Sequence, residues 1–125
     1  MIVAPGDLAF LHVDAALVVA LKPSGLHAVT PKPPLGPDCA LARVRAAFPD
    51  ALPVHRLDRD TSGLMLFARS RAAQRHLGLQ FERRRVEKGY VARVRGAVAG
   101  EAGRIDLPLA ADWPRRPRQM VCPER

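Results

Sequence analysis

Prolines and glycines divide this chain into short segments, and its longest apolar run is the seven residues at positions 15–21. Because a helix that crosses a bilayer needs about 20 apolar residues, the sequence predicts no membrane span. A chain of 125 residues can build one small domain at most, with short strands and helices around a single core. The opening residues 1–7 lack the pattern of an export signal. We therefore expect a cytoplasmic protein.

Positive charge is concentrated in the later part of the chain. Residues 1–50 contain four Lys or Arg and four Asp or Glu, so the whole net charge of +8 comes from residues 51–125. A basic surface of this kind favours contact with nucleic acid, since binding releases counterions. The alternative is a compositional bias, because 17 of the 20 basic residues are Arg and 20 residues of the chain are Ala.

Short apolar runs between turn residues predict a sheet with flanking helices. We expect strands at residues 8–13, 16–21, 26–29, 54–57, 64–68, 90–94 and 105–109. One helix is expected at residues 39–48, capped by Asp38, and a second from Ser70 to about residue 85. The proline-rich residues 30–37 predict a surface loop, and no packed element is expected from Asp112 onward.

The polar stretch at residues 58–63 lies between two predicted strands and is the best candidate for chemistry. Asp58 is flanked by Arg56 and Arg59, whose charges favour an ionised carboxylate suited to nucleophilic or base catalysis. The alternative is a capped turn, in which Asp58 or Asp60 accepts hydrogen bonds from backbone amides. The four histidines and two cysteines are too scattered to predict a metal site.

Several short motifs follow one another in a fixed order. They are VVALKPSGL at residues 18–26, HRLD at 55–58, TSGL at 61–64, LFA at 66–68, KGYVA at 88–92 and IDLPL at 105–109. In order and spacing they resemble the RluA family of pseudouridine synthases over nearly the whole chain. The segment DWPRRPRQ at residues 112–119 is similar to the family member that modifies both tRNA and 23S rRNA.

This resemblance implies an α/β (α+β) fold, with a mixed, largely antiparallel sheet flanked by helices. It implies an isomerase that breaks the C1′–N1 bond of uridine, turns the uracil and joins C1′ to C5, with no cofactor and no metal. The implied partner is structured RNA, namely tRNA or 23S rRNA. Residues 1–125 would form the N-terminal part of a single catalytic domain.

The resemblance also assigns roles to individual residues. Asp58 stands at the family's catalytic position, where it either attacks C1′ or takes the C2′ proton. Arg56 matches the residue that enters the space left by the extruded base, and Tyr90 matches the aromatic residue that stacks on the target uracil. A half-buried strand aromatic is the alternative for Tyr90. Candidate phosphate contacts, for which a solvated basic surface is the alternative, are Arg83, Arg84, Arg85, Lys88, Arg115, Arg116 and Arg118.

The chain lacks the later family stretch, of the type Gly-Arg-x-His-Gln-x-Arg, that supplies a basic partner for the catalytic aspartate. We therefore expect a C-terminally incomplete domain whose unpaired sheet edge causes marginal stability and self-association. Two other functions are considered. One is a non-catalytic RNA-binding fragment with the same basic surface, and the other is a glycosidase that uses Asp58 and Asp60.

Overall fold

A computed structural model describes residues 8–31, 36–116 and 118–122 of the chain. The chain falls into two compact units, divided between Gly89 and Tyr90. Residues 1–7 and residues 32–35 of the predicted proline-rich loop lie outside the described part. Within the described ranges, no helix is long and apolar enough to cross a membrane.

The first unit contains an antiparallel sheet. Its strands are β1 (Ala9–Val13), β2 (Leu17–Lys22), β3 (Leu52–Pro53) and β4 (Gly63–Ala68), arranged in the order β1-β2-β4-β3. Every neighbouring pair is antiparallel. The Asp14 carboxylate holds the turn between β1 and β2 by accepting the amides of Ala16 at 2.7 Å and Leu17 at 2.9 Å. The predicted strand pair and the largely antiparallel sheet are confirmed.

The core lies on one face of this sheet. Val18 and Ala20 of β2 and Met65 and Phe67 of β4 are fully buried, as the two-residue period of a strand requires. Val44 from the helix α1 (Ala40–Ala47) belongs to the same buried cluster. The middle strands β2 and β4 therefore give the first unit a rigid base.

Helix α1 begins one residue later than the sequence predicts. The residue at its N-cap is Cys39, whose Sγ accepts the Ala42 amide at 3.4 Å. Asp38 instead forms a bidentate pair with Arg43, with N–O distances of 3.0 and 2.8 Å. The prediction of Asp38 as the cap is wrong because its carboxylate is engaged by a side chain within the helix.

The second helix, α2 (Arg71–Glu82), lies against β3 and β4. The predicted cap is confirmed, since Ser70 Oγ accepts the Ala73 amide at 3.0 Å. The helix ends at Glu82, short of the predicted residue 85, because Arg84 adopts a left-handed backbone with φ of 53°. Two reverse hydrogen bonds close this end, from the Arg84 amide to Phe81 and from the Arg85 amide to Gln80.

Three predicted strands are not observed, because their segments bond elsewhere or pair with no strand among the described residues. At residues 26–29, the carbonyls of His27 and Ala28 accept the first amides of α1. Residues 54–57 form no strand because the pairing of β3 with β4 ends at Pro53. Residues 90–94 are exposed and pair with no strand in the described part of the chain, and alternating side chains alone do not make a strand stable without a neighbour.

The second unit contains a two-stranded hairpin of β5 (Leu109–Ala111) and β6 (Gln119–Val121). Its loop includes a short 3₁₀ turn, Trp113–Arg115. The strand predicted at residues 105–109 is thus displaced toward the C-terminus, with Leu109 as its first residue. The prediction of no packed element beyond Asp112 is also wrong, since β6 pairs with β5. The Asp112 amide donates to the Arg118 carbonyl at 2.8 Å at the start of the loop between them.

Candidate active site

The loop that leads from β3 to β4 carries the predicted acid. Asp58 is exposed, and its backbone carbonyl accepts the Thr61 amide at 3.1 Å. Its carboxylate forms no hydrogen bond or ion pair with the residues that the structure describes. The capped-turn alternative for Asp58 would require such a bond, so the geometry leaves this carboxylate available to a ligand.

The neighbouring carboxylate is in a different state. Asp60 accepts the Arg59 guanidinium at 2.9 Å. The pKa of Asp60 lies below its usual value, mainly because of this hydrogen bond. Arg59 therefore pairs with Asp60, whereas the carboxylate of Asp58 has no partner among the described residues.

A cavity of about 640 Å³ adjoins Asp58. One wall is formed by residues 56–59 and the other by residues 27–31. Its lining comprises His27, Ala28, Val29, Thr30, Pro31, Arg56, Leu57, Asp58 and Arg59. This volume falls within the range of about 300–1,000 Å³ that is typical of sites for small organic molecules. Arg56 and Asp58 are thus brought together on one wall.

Both walls are tied to Lys22, at the end of β2. Lys22 is fully buried, and its Nζ donates to the carbonyls of Pro23 at 2.9 Å, Leu26 at 2.7 Å and Arg59 at 2.8 Å. The three protons of the ammonium are therefore satisfied. Burial lowers the pKa of Lys22, opposed by the charges of Asp60 and Asp58. One cation thus joins the segment before His27 to the residue directly after Asp58.

The turn after Lys22 adds two more ties to the Asp58 loop. The Gly25 amide donates to the Arg59 carbonyl at 2.8 Å, and Ser24 Oγ donates to the Asp60 carbonyl at 2.8 Å. Gly25 adopts a φ of +88°, which favours glycine at this position. The loop is therefore fixed by hydrogen bonds to its own backbone carbonyls, while the Asp58 side chain has no partner among the described residues.

His55 fixes the start of the same loop. Its Nε2 accepts the Leu66 amide at 3.0 Å, which takes the place of the next carbonyl in the ladder between β3 and β4. The ring stacks on Phe81 of α2 with centroids 4.4 Å apart. Burial, with the charge of Lys88, lowers the pKa of His55 and keeps the ring in the neutral form that can accept this bond.

The remaining predicted residues lie outside the cavity lining. Arg83, Arg84 and Arg85 are exposed at the C-terminal end of α2, and Lys88 is exposed just beyond it. Tyr90 is exposed in the second unit, in a segment that pairs with no strand among the described residues. Arg115, Arg116 and Arg118 are exposed in the loop of the β5–β6 hairpin. The described residues contain no cluster of three His, Cys, Asp or Glu side chains with metal-ligand geometry.

Two residues of interest were missed as individual sites by sequence reasoning. Lys22 follows Val18 and Ala20 at a two-residue spacing, so the strand period places it on the buried face. A lysine at a core-facing position predicts a buried ammonium that needs acceptors. Trp113 is exposed beside three arginines, and that interleaving of aromatic and basic residues was available in the sequence.

Comparison with known proteins agrees with the motif order. A family model described as RNA pseudouridylate synthase matches residues 16–124. The dual-specificity RNA pseudouridine synthase RluA of Yersinia pestis is 47% identical over 114 residues, which cover 91% of this chain and 55% of that protein. The protein of the same name from Escherichia coli K12 is 44% identical over 117 residues, which cover 94% of this chain and 53% of that protein.

The chain therefore spans about half the length of these curated relatives. Among solved structures, human RNA pseudouridylate synthase domain containing 4 matches 62% of this chain and 30% of its own, with a TM-score of 0.49 and 27% identity.

Proposed function

Since the chain belongs to the RNA pseudouridylate synthase family, we propose that it is part of an enzyme that isomerises uridine to pseudouridine in structured RNA. Residues 1–125 form the N-terminal part of a single catalytic domain in this proposal. The substrates in this proposal are tRNA and 23S rRNA stem-loops, because residues 112–119 resemble the family member that modifies both RNAs. The relatives are named dual-specificity RNA pseudouridine synthases. The enzyme meets these RNAs in the cytoplasm.

The main support is the free carboxylate of Asp58 beside a cavity of about 640 Å³. Isomerisation breaks the bond from C1′ to N1 and forms one from C1′ to C5, while the C5 proton is lost and N1 gains one. One carboxylate suffices for this chemistry, either as a nucleophile at C1′ or as a base at C2′. No oxidant, reductant or group donor enters the balance, so neither a metal nor a cofactor is needed.

The reaction requires a uridine outside its helical stack. Extruding a base costs a few kcal/mol, and the enzyme must offset this with contacts of its own. Arg56 is exposed and lines the cavity next to Asp58, so it can enter the space that the base leaves. Tyr90 stacks on the extruded uracil in this proposal. Arg83, Arg84, Arg85, Lys88, Arg115, Arg116 and Arg118 bind phosphates and set the position of the RNA.

Release of tritium from C5 of uridine tests the proposal. The full-length protein is incubated with stem-loop RNA that carries [5-³H]uridine, and Asp58→Asn is expected to lower the rate at least about 100-fold. Asp60→Asn is the matched control, because it removes a carboxylate of the same loop that is already paired with Arg59. Equal rates for the parent protein and Asp58→Asn would refute the role of Asp58.

A second candidate is a non-catalytic RNA-binding fragment. The arginines at the end of α2 and in the hairpin loop favour it, since their exposed charges suit phosphate binding without any chemistry. It predicts RNA affinity that falls steeply with salt and is unchanged in Asp58→Ala. Tritium release by the parent protein would exclude this candidate.

Self-association belongs to the proposal as well. Strand β1 is an edge of the four-stranded sheet and exposes Leu11 and Val13. An open edge with apolar side chains favours pairing with a second copy. Sedimentation velocity at increasing concentration tests this, and a concentration-independent monomer would exclude it.

A further inference from the structure

An exposed aromatic ring lies among arginines in the loop of the β5–β6 hairpin. Trp113 is 66% exposed, and the Arg116 guanidinium carbon lies 4.4 Å from the centroid of its ring. Arg116 Nε also donates to the Trp113 carbonyl at 3.1 Å. The guanidinium is thus held over one face of the indole by two contacts, and we call this stacked pair the Trp113 platform.

The loop beneath this platform is fixed by Asp112. This residue is buried, and its carboxylate accepts the Arg115 guanidinium at 3.0 Å. The Asp112 amide donates to the Arg118 carbonyl at 2.8 Å, and its carbonyl accepts the Arg115 amide at 3.0 Å. The platform is therefore pre-organised, so that a ligand need not pay for ordering the ring on binding.

The chemistry of the platform fits an unpaired nucleobase. Bases in single-stranded RNA stack on aromatic rings and on arginine planes, whereas bases within a duplex are already stacked on one another. Three arginines against one aspartate leave this loop positive, which complements the phosphates on either side of a stacked base. An indole with an adjacent cation thus matches both parts of an unpaired nucleotide.

We propose that the Trp113 platform binds an unpaired nucleobase of the RNA, with Arg116 and Arg118 close to its flanking phosphates. This rests on the proposed function in one respect, namely that the partner is RNA. The platform contacts a nucleotide of the substrate, and it takes part in selecting RNAs that present an unpaired loop.

Tryptophan fluorescence gives a direct measurement, because Trp113 is the only tryptophan of this sequence. The full-length protein is titrated with a stem-loop RNA and with a fully paired duplex of the same length. We expect quenching by the stem-loop and little by the duplex or by polyphosphate, which carries charge but no bases. Any signal from another tryptophan is removed by subtracting the response of Trp113→Phe.

Affinity for the stem-loop separates stacking from charge. Trp113→Ala is expected to weaken binding about ten-fold, while Trp113→Phe keeps a ring and retains most of the affinity. Arg104→Gln is the matched charge control, since Arg104 is an exposed arginine of the same unit outside the hairpin. At one fixed salt concentration, the affinity of Arg104→Gln for the stem-loop should stay within about two-fold of the affinity of the parent protein. Circular dichroism establishes that each variant is folded.

Three outcomes overturn the platform: no quenching by the stem-loop, equal quenching by polyphosphate, or unchanged affinity in Trp113→Ala. If Trp113→Ala fails to fold, the test uses two other measurements. The platform is overturned if Trp113→Phe binds the stem-loop with unaltered affinity and the stem-loop does not quench the fluorescence of the parent protein. These results differ from failure of the proposed function, which is a parent protein that releases no tritium from uridine. A parent that isomerises uridine without a quenched Trp113 refutes the platform alone.

Discussion

The Lys22 ammonium lies 2.8 Å from the carbonyl oxygen of Arg59, the residue directly after Asp58. The Gly25 amide donates to the same oxygen at 2.8 Å. A buried cation at the end of β2 and the turn that follows it therefore fix the backbone of the loop that carries the acid. The position of Asp58 is set by contacts that do not involve its carboxylate.

Replacing Lys22 should destabilise the first unit strongly. Lys22→Met keeps a long apolar stem but removes the donor from the carbonyls of Pro23 and Leu26. It leaves the Arg59 carbonyl with the Gly25 amide alone. Because an unsatisfied buried acceptor costs about 1–3 kcal/mol and partial relaxation is expected, we predict a loss of roughly 3 kcal/mol in the free energy of unfolding, measured in urea. Lys88→Met, at an exposed position, should change it by less than about 0.5 kcal/mol. Similar values for the two variants would contradict the role of Lys22.

Replacement of Asp58 should have the opposite effect, because it should lower activity without lowering stability. The Asp58 carboxylate has no partner among the described residues, so Asp58→Asn should leave the urea midpoint unchanged while it lowers tritium release. The comparison variant is Asp14→Asn, because Asp14 accepts two backbone amides and a bond from His12 at 2.7 Å. Those contacts lower the pKa of Asp14 to about 2, and its loss should reduce the midpoint. A urea midpoint for Asp58→Asn as low as that of Asp14→Asn would show that the Asp58 carboxylate stabilises the folded protein.

The period of the apolar residues was enough to predict β1, β2, β4 and both helices. The pattern failed where a backbone group bonds outside its own segment. The His27 carbonyl bonds to α1, and the His55 ring replaces a strand carbonyl, and neither contact leaves a trace in local spacing. Asp58 could be singled out by the motif around it, whereas the bond from Lys22 to the carbonyl of Arg59, the next residue, joins positions 37 apart.

Stability should fall below about pH 6.5 because of His55. Its folded pKa is lowered from 6.5, so the unfolded chain binds more protons between the folded pKa and 6.5. The contribution of the neutral ring is thus fully present above pH 6.5 and is lost as the pH falls toward the folded pKa. Urea midpoints measured at about pH 7.5 and about pH 5.5 should differ more for the parent protein than for His55→Gln, which does not titrate.

The comparison between the two proteins isolates His55 from the other histidines, since His12, His27 and His76 are present in both. His76 lies exposed on α2, so His76→Gln should keep the pH response of the parent. If His55→Gln and the parent lose stability equally between these pH values, the Leu66 amide does not depend on the neutral ring.

Replacement of Arg84 by glycine should stabilise the protein. Arg84 has a left-handed φ of 53°, and it lies at the position after the helix cap where glycine is preferred. Arg84→Gly is expected to raise the free energy of unfolding by about 0.5–1 kcal/mol, since glycine adopts this conformation without strain. Arg83→Gly is the matched control, because Arg83 has a φ of −84° and gains nothing from glycine.

If Arg84 also binds phosphate as proposed, Arg84→Gly will be more stable yet weaker in RNA binding at low salt. A gain in stability with unchanged affinity would remove Arg84 from the RNA contacts.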